Sequence, residues 1–292
     1  MLPRATLLLA LLAVVPAHAE DALPAHAEDA LPAHAEDALP AHAEDALPAL
    51  SLSLGGGVAA SPAYRGGGAV RLSPSPYVSG SIGEALEVDS LDGVRLRLLH
   101  LEGLNLGGLS AGAFGRYSAG RSVHDLPARL RGLGGLGDTV ELGGYVTYEA
   151  GPLTLDTIAV QDATRGGGGA ALESRLTLGI PIGDPARQQG FEIGPFVQLA
   201  DRAGLRRDFG VDAAQSAATG LAAFSPRAGA GMAGIEGFAS LPLAAGWSLR
   251  GFVQWGRLVG DAAASPIVRG GGAREQLSGG AFLVFTPWGP AR

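Results

Sequence analysis

The chain contains no cysteine among its 292 residues. An exported protein without cysteine has no disulfide bond, so its stability must come from packing or strand pairing alone. The absence of a cysteine after the N-terminal leader also excludes a lipoprotein-type anchor.

Long apolar stretches are missing as well. Beyond the N-terminus, no segment approaches the ~20 unbroken apolar residues that a membrane-spanning helix needs, so helical spans are excluded. The N-terminus begins with Arg4, continues with the apolar run Leu7–Val15 and ends at Ala17-His18-Ala19, which are the three parts of a secretory signal. We therefore predict a signal peptide over residues 1–19 and an exported protein.

The main domain has no excess of positive or negative charge. Eight of the 28 acidic residues and one of the 21 basic residues precede Leu50, which leaves 20 of each. A neutral domain gives no sign of a nucleic-acid partner. Only 17% of residues are charged and 47% are hydrophobic, which argues against disorder. The 47 glycines favour tight turns and disfavour long helices.

Residues 17–48 are four identical copies of AHAEDALP. A period of eight residues is too short for a solenoid, and every copy ends in proline. We predict a disordered acidic linker over residues 20–49, followed by a barrel domain over residues 50–292. A less favoured alternative is a metal-binding tract, because each copy carries one histidine: His18, His26, His34 and His42. No rigid geometry brings these imidazoles together as a metal site requires. We therefore expect no metal and no cofactor.

From Leu50 onwards, strand patterns recur with turn signals between them. The candidate strands are 51–60, 68–79, 83–90, 93–102, 105–117, 138–149, 152–162, 169–181, 190–200, 228–241, 246–259 and 275–286. An even number of strands of about 11 residues is typical of bacterial outer-membrane barrels. The sequence therefore predicts an all-β protein, an antiparallel transmembrane outer-membrane β-barrel of about 12 strands.

The strand 246–259 shows the clearest alternation. Its apolar face carries Trp247, Leu249, Gly251, Val253 and Trp255. The two tryptophans lie about 20 Å apart in height, which approaches the spacing of the two aromatic girdles of a membrane barrel. We predict that this face contacts lipid and that Arg250 and Gln254 point into the lumen.

Charged residues on other strands also belong inside, because a charge at the bilayer midplane costs about 2–4 kcal/mol. The predicted lumen charges are Arg95, Arg97, Glu141, Glu173, Arg175, Glu192 and Arg250. Mixed charges can pair across a narrow interior and plug it, whereas a general porin keeps a wide, wet pore. A channel for one specific solute remains an alternative.

Connection lengths alternate along the predicted barrel. Turns such as Ala150-Gly151 are short, whereas loops 118–137 and 201–227 are long. Long loops at one end and short turns at the other are the outer-membrane pattern, with the long loops outside.

Several segments resemble the signature of the MipA/OmpV outer-membrane proteins, in order over nearly all of 51–286. They are Pro62-Ala63-Tyr64, Tyr117-Ser118-Ala119-Gly120-Arg121, Gly137-Asp138, Phe209-Gly210-Val211 with Gln215-Ser216, Gly220-Leu221 and Phe224-Ser225-Pro226, and Gly260–Val268. The resemblance implies an outer-membrane β-barrel. For the founding member it implies a scaffold that joins a murein lytic transglycosylase to a murein synthase. The chain departs from most such barrels in continuing for seven residues after Phe285.

The signature residues fall in the predicted outer loops. They are Pro62, Tyr64, Gly120, Arg121, Phe209, Gly210, Val211, Gln215, Ser216, Gly220, Asp261, Ser265 and Pro266. One interpretation is a partner or ligand site at the barrel mouth. The other, which we favour, is a structural cap over the lumen in which Asp261 and Ser265 hold turns, because both residue types bond local backbone.

Catalysis finds little support in the sequence. A hydrolase usually needs a nucleophile activated by a base, most often histidine, and the barrel offers only His100 and His124. Ser122, His124 and Asp125 are close in sequence, but a triad requires convergence in space. We predict a non-enzymatic protein, with an outer-membrane hydrolase as a less favoured alternative.

The function that the sequence favours is a scaffold for murein-synthesising or envelope machinery in the outer membrane of a Gram-negative cell. We expect a monomer surrounded by outer-membrane lipid, with a murein lytic transglycosylase and a murein synthase as partners by resemblance. A murein-side partner must reach the periplasmic turns, and Gly183–Gln189 is the candidate contact.

Overall fold

The computed structural model describes residues 49–104, 107–164, 166–182, 190–244 and 246–288. The predicted signal peptide, nearly all of the predicted linker and the candidate contact Gly183–Gln189 lie outside the described residues.

Twelve strands close into one antiparallel barrel, which confirms the predicted fold. Each strand pairs with its neighbours in sequence, and β1 pairs with β12 to close the sheet. The strands are β1 Leu50–Pro62, β2 Val70–Ile82, β3 Leu86–Asp89, β4 Gly93–Leu104, β5 Gly107–Ser118, β6 Thr139–Ala150, β7 Leu153–Asp162, β8 Ala170–Pro181, β9 Gly190–Ala200, β10 Gly229–Ala244, β11 Trp247–Leu258 and β12 Glu275–Trp288.

Strand β11 shows how the sequence sets the two faces of the wall. Trp247 and Trp255 are 43% and 45% exposed on the outside of the barrel, and Val253 lies between them. On the opposite face, Arg250 donates a hydrogen bond to the Tyr77 hydroxyl across the lumen. The prediction for this strand is confirmed, because only an alternating pattern separates apolar from charged side chains in this way.

Apolar side chains continue around the outer surface and form a belt. Leu72, Leu142, Leu176 and Ile235 are among its exposed members. At the short-turn end, the rings of Trp247 and Phe285 pack with their centroids 5.0 Å apart. A belt of this kind is the lipid-facing surface of outer-membrane-type barrels.

The two ends of the barrel differ. One end carries short turns, such as the two residues between β6 and β7. The other end carries four helices and two 3₁₀ segments, Val123–Asp125 and Ala128–Leu133. The helices are α1 Arg202–Phe209, α2 Ala213–Thr219, α3 Gly260–Ala264 and α4 Pro266–Arg269. No helix in the described part of the chain is long and apolar enough to cross a membrane.

Strand β3 is shorter than the sequence suggested. It ends at Asp89, whose carboxylate accepts a hydrogen bond from the Leu91 amide at 2.8 Å and from the Tyr77 hydroxyl at 2.6 Å. The predicted strand 83–90 ends close to this point, but residues 83–85 form the turn after β2, so β3 has only four residues and pairs with the last four residues of β2.

Candidate functional site

The long-loop end of the barrel is closed by a compact structure that we call the outer cap. It consists of residues 63–69, 119–138, 201–228 and 259–274. Its first hydrophobic core gathers side chains from all four segments, each less than 8% exposed: Tyr64, Leu126, Leu130, Leu133, Val211 and Ile267. Loops that share a core of this kind pack as a single unit, because each buried side chain removes apolar surface from water.

A second core seats the outer cap on the barrel. Leu205 and Phe209 of α1 pack against Ala262 and Val268, and Leu258 at the end of β11 joins them. Each of these side chains is less than 5% exposed. The cap is therefore continuous with the wall.

Ser265 connects the two cores. Its side chain is fully buried, its hydroxyl donates to the Phe209 carbonyl at 2.7 Å, and its oxygen accepts from the Ile267 amide at 3.2 Å. The buried hydroxyl acts as both hydrogen-bond donor and acceptor, and it caps the N-terminus of α4, where Pro266 takes the first helical position.

The other signature residues hold local geometry in the cap. Gln215 completes a capping box at the start of α2 and donates to the Leu133 carbonyl at 2.8 Å. Ser216 donates to the Leu221 carbonyl at 2.6 Å. Gly220 ends α2 with φ of 73°, a left-handed conformation that favours glycine. The Gly120 amide donates to Asp138 at 2.7 Å.

Two further signature residues carry charge, Arg121 buried and Asp261 partly exposed. Arg121 is only 9% exposed, and burial lowers the pKa of its guanidinium. Near it, burial raises the pKa of the Tyr64 phenol. Asp261 lies at the exposed edge of the cap, where hydrogen bonds from Arg227 lower the pKa of its carboxyl.

Pro62 is the last residue of β1, and Gly210 follows α1 directly. All thirteen signature residues therefore lie in the outer cap or at its junction with the barrel, where they form its cores or hold its turns.

Beneath the cap, charged side chains bridge the lumen. Asp156 of β7 is the centre of this lumen network and is 5% exposed. Arg95 donates to both of its carboxylate oxygens at 2.9 Å, and Thr147 donates at 2.5 Å. Arg175 of β8 pairs with the same carboxylate at 2.9 Å and with Asp92 at 3.0 Å.

Two smaller groups extend the lumen network. Arg116 donates to Glu141 at 2.6 Å and forks onto both oxygens of Glu173 at 2.6 and 2.9 Å. Gln254 donates to Glu236 at 3.1 Å, on the far wall. Bidentate contacts between guanidinium and carboxylate are the strongest ion pairs available to a protein. The network therefore links non-adjacent strands across the lumen, β4 with β7 and β5 with β8.

A cavity of about 1110 Å³ is lined in part by the lumen network itself, including Arg95, Asp156 and Arg175. Its lining also includes Gly151, Pro152 and Gly190, so the cavity extends from the network to the short-turn end. Arg97 and Glu192 also line it. Arg97 reaches Glu84 at 3.3 Å near the mouth.

The structure brings all seven predicted lumen charges to the inside of the barrel, and it adds partners that the sequence analysis missed. These are Tyr77, Asp92, Arg116, Asp156 and Glu236. The alternation of inward and outward side chains along β5 and β7 would have predicted that Arg116 and Asp156 point into the lumen. Their inward neighbours Phe114, Ile158 and Val160 are themselves apolar and buried, and this obscured the pattern.

Ser122, His124 and Asp125 do not converge into a catalytic triad. Ser122 accepts from the backbone amide of His124 as a helix cap, and Asp125 pairs with Arg71 at 2.6 Å. His100 contacts Ser110 at 3.0 Å and Glu102 at 3.4 Å near the cavity mouth, where the Glu102 side chain is 86% exposed. The part of the chain that the structure describes contains no cluster of three or more metal-ligating side chains.

Comparison with known proteins supplies the family. Residues 54–286 match the family described as MltA-interacting protein MipA. A search of curated proteins finds no match. Among solved structures, the chain is similar to one described as the high-pH structure of Pseudomonas putida OprB, with 13% identity and a TM-score of 0.32. The alignment covers 74% of this chain and 58% of that one, so the chain spans little more than half of its length. Since the family match includes nearly all of the barrel and the whole outer cap, the chain belongs to the MltA-interacting protein MipA family.

Proposed function

We propose that the protein resides in the outer membrane and acts by contact, as a non-enzymatic scaffold for murein-synthesising machinery. The observation that carries this proposal is the closure of the barrel. The outer cap covers one end with two buried cores, and the lumen network ties the walls together below it. A barrel closed in two layers offers surfaces to partners more readily than a path to solutes.

The orientation of the barrel decides which surface a murein-side partner can reach. Long loops lie outside and short turns lie in the periplasm in outer-membrane barrels. The outer cap then faces the exterior, and the short-turn end faces the murein. The signature residues of the outer cap therefore maintain the fold, while the murein-side partner contacts the turns at the short-turn end.

The short-turn end has a chemical character that a partner can recognise. Glu84 and Glu102 project with side chains 86% exposed. Glu149 and Glu192 lie at the same end without an ion-pair partner among the described residues. An acidic rim fits a basic surface on a partner and speeds its association. The segment Gly183–Gln189 remains a proposed part of this contact.

The family description names an interaction with MltA, and we propose that a murein lytic transglycosylase binds the acidic rim. The test is binding of a purified transglycosylase to the barrel in lipid nanodiscs. Glu84→Arg combined with Glu102→Arg should weaken binding at least tenfold, a change of about 1.4 kcal/mol. The matched control is Arg131→Glu combined with Arg269→Glu, two exposed cap residues, which should leave the affinity unchanged.

Two outcomes contradict this proposal. Loss of binding in the cap variant but not in the rim variant would place the contact at the outer end. Failure of the transglycosylase to bind the unaltered barrel, with or without a murein synthase present, would remove the scaffold role.

The cavity of about 1110 Å³ favours a second candidate, a channel for one specific solute. Eight acidic and five basic side chains line that cavity, so it favours cations. Passage would require the outer cap to move and the bridge between Arg95 and Asp156 to open. Conductance measurements separate this candidate from the scaffold.

A further inference from the structure

Two neighbouring strands, β10 and β11, present a matched strip of side chains to the cavity. The β10–β11 strip consists of three cross-strand pairs: Glu236 with Gln254, Phe238 with Phe252, and Ser240 with Arg250. All six residues line the cavity, because alternation brings every second side chain of each strand to the inside. The strip therefore has a carboxylate at one end, two aromatic rings in the middle and a guanidinium at the other end.

The carboxylate end of the strip has an acceptor that the described residues leave unused. Glu236 is 5% exposed and lines the cavity. Gln254 donates to its Oε2 at 3.1 Å and so orients the carboxylate, whereas its Oε1 is buried and has no hydrogen-bond donor among the described residues. The guanidinium of Arg175 approaches Oε1 only to 4.0 Å. Since a buried acceptor without a donor is costly, this end of the strip fits a cationic donor group of a ligand.

The guanidinium end of the strip has unused donors. The Arg250 guanidinium lies over the Tyr77 ring, 5.5 Å from its centroid, and Nη1 donates to the Tyr77 hydroxyl at 2.6 Å. Its Nε is buried and has no hydrogen-bond partner in the described part of the chain. Every other arginine that lines the cavity has a carboxylate oxygen within 3.3 Å, whereas Arg250 has no ion-pair partner among the described residues. A guanidinium matches the geometry of a carboxylate, so this end fits an anionic ligand group.

The two aromatic rings separate the charged ends. Phe252 stacks on Phe282 with the ring centroids 6.4 Å apart, which holds it in place. Phe238 lies beside Arg175, whose guanidinium carbon is 6.0 Å from the ring centroid. Both Phe238 and Phe252 are partly buried and line the cavity. They form an apolar floor that suits apolar side chains of a ligand.

The length of the strip sets the size of the ligand. Glu236 and Ser240 are four residues apart on β10, which corresponds to about 13 Å along the strand. An extended peptide spans about 3.3–3.6 Å per residue, so about four residues reach from one end of the strip to the other. The cavity of about 1110 Å³ is large enough for such a molecule. Because β11 begins with Trp247 at the short-turn end, Arg250 lies nearer that end than Glu236 does.

We propose that the cavity binds a zwitterionic peptide of about four residues along the β10–β11 strip. Its terminal ammonium group donates to Oε1 of Glu236. Its terminal carboxylate accepts from the guanidinium of Arg250 and the hydroxyl of Ser240, and its apolar side chains pack on Phe238 and Phe252. Arg250 repels a second positive charge at its end of the strip, which discriminates against polycations. This site goes beyond the scaffold role, and it needs no movement of the outer cap because the cavity extends to the short-turn end.

The test is isothermal titration calorimetry of the purified barrel in lipid nanodiscs with the tetrapeptide alanyl-leucyl-leucyl-alanine. The same peptide is then used with its N-terminus acetylated, and separately with its C-terminus amidated. Each block removes one terminal charge, so we expect each to weaken binding by at least about tenfold. Equal affinities of the free and blocked peptides would overturn the proposal, as would the absence of binding at millimolar concentrations of the free peptide. Tighter binding of spermidine than of the free peptide would show a polycation site instead.

Two variants assign the termini of the peptide to the two ends of the strip. In Arg250→Gln, amidation should no longer weaken binding, whereas acetylation still should; in Glu236→Gln, the reverse is expected. Glu149→Gln is the matched control, because Glu149 lines the same cavity on β6 without an ion-pair partner among the described residues, and it should leave all three affinities unchanged. Heat-modifiable migration on gels checks that each variant is folded. If both blocks still weaken binding to both variants, the assignment of the termini is wrong.

Discussion

Removal of Asp156 should destabilise the barrel more than any other single change in the lumen. Its carboxylate receives four hydrogen bonds, two from Arg95, one from Arg175 and one from Thr147. In Asp156→Ala, both guanidinium groups lose their central partner while they stay inside the wall. Removal of one partner from a buried ion pair typically costs about 3–5 kcal/mol.

We expect the loss in the free energy of unfolding of Asp156→Ala to lie at the lower end of that range. Asp92 remains within 2.8 Å of Arg95 and 3.0 Å of Arg175, so neither arginine is left without a carboxylate. The adjoining cavity also admits water. We therefore expect a loss of about 3 kcal/mol in the free energy of unfolding.

The measurement is urea-induced unfolding of the barrel in vesicles, followed by tryptophan fluorescence. Glu192→Ala is the matched control, because Glu192 lines the same cavity without an ion-pair partner among the described residues. It should change the free energy by no more than about 0.5 kcal/mol. Equal effects of the two substitutions would show that the lumen network does not hold the walls together.

Three further outcomes follow from the cap and from strand β2. Arg227 lowers the pKa of Asp261, so their pair should stabilise the cap above about pH 4 and be lost as pH falls through the lowered value; proteolysis of the cap should rise there, and less so in Asp261→Asn. Ser265→Ala should cost about 1–3 kcal/mol and speed amide exchange in the cap, whereas unchanged exchange would contradict its role. Val78 directs its backbone groups to the side of β2 away from β1, as do Pro74 and Pro76, and among the described residues no strand pairs with β2 on that side before Ser79. Pro74→Thr with Pro76→Thr adds two backbone donors there and should produce cross-linkable dimers; a strictly monomeric variant would argue against an open edge.

The sequence predicted the barrel because lipid imposes a simple rule. Charges cannot remain at the outer midplane, so Arg250 and Trp255 had to face opposite sides of β11. Where the inner face is itself apolar, this rule no longer distinguishes the inner face of a strand from its outer face. Ile158 and Val160 line the inside of β7, and for that reason the role of Asp156 was not apparent from alternation.

The outer cap was less accessible to sequence reasoning, because its contacts join segments far apart in the chain. Tyr64 and Ile267 share one core although about two hundred residues separate them. No local periodicity reports such a contact. The resemblance to a family marked these residues, and local turn chemistry indicated only that Ser265 and Asp261 bond nearby backbone.

The short β3 strand was not predicted either. The predicted strand 83–90 included residues 83–85, which form the turn between β2 and β3 instead, whereas its end near Asp89 was predicted to within one residue. The Pro-Ser-Pro sequence at residues 74–76 was the available signal, since proline in a strand indicates an edge.

We propose that this closed barrel acts by contact and does not conduct. Single-channel recording of the purified barrel in planar bilayers tests it most directly, with heat-modifiable migration on gels as evidence of a folded barrel and a general porin as positive control. We expect no stable conductance steps above the bare-bilayer baseline, because the outer cap and the bridge from Arg95 to Asp156 close the lumen. Stable steps that one solute blocks would contradict the claim and establish the protein as a channel.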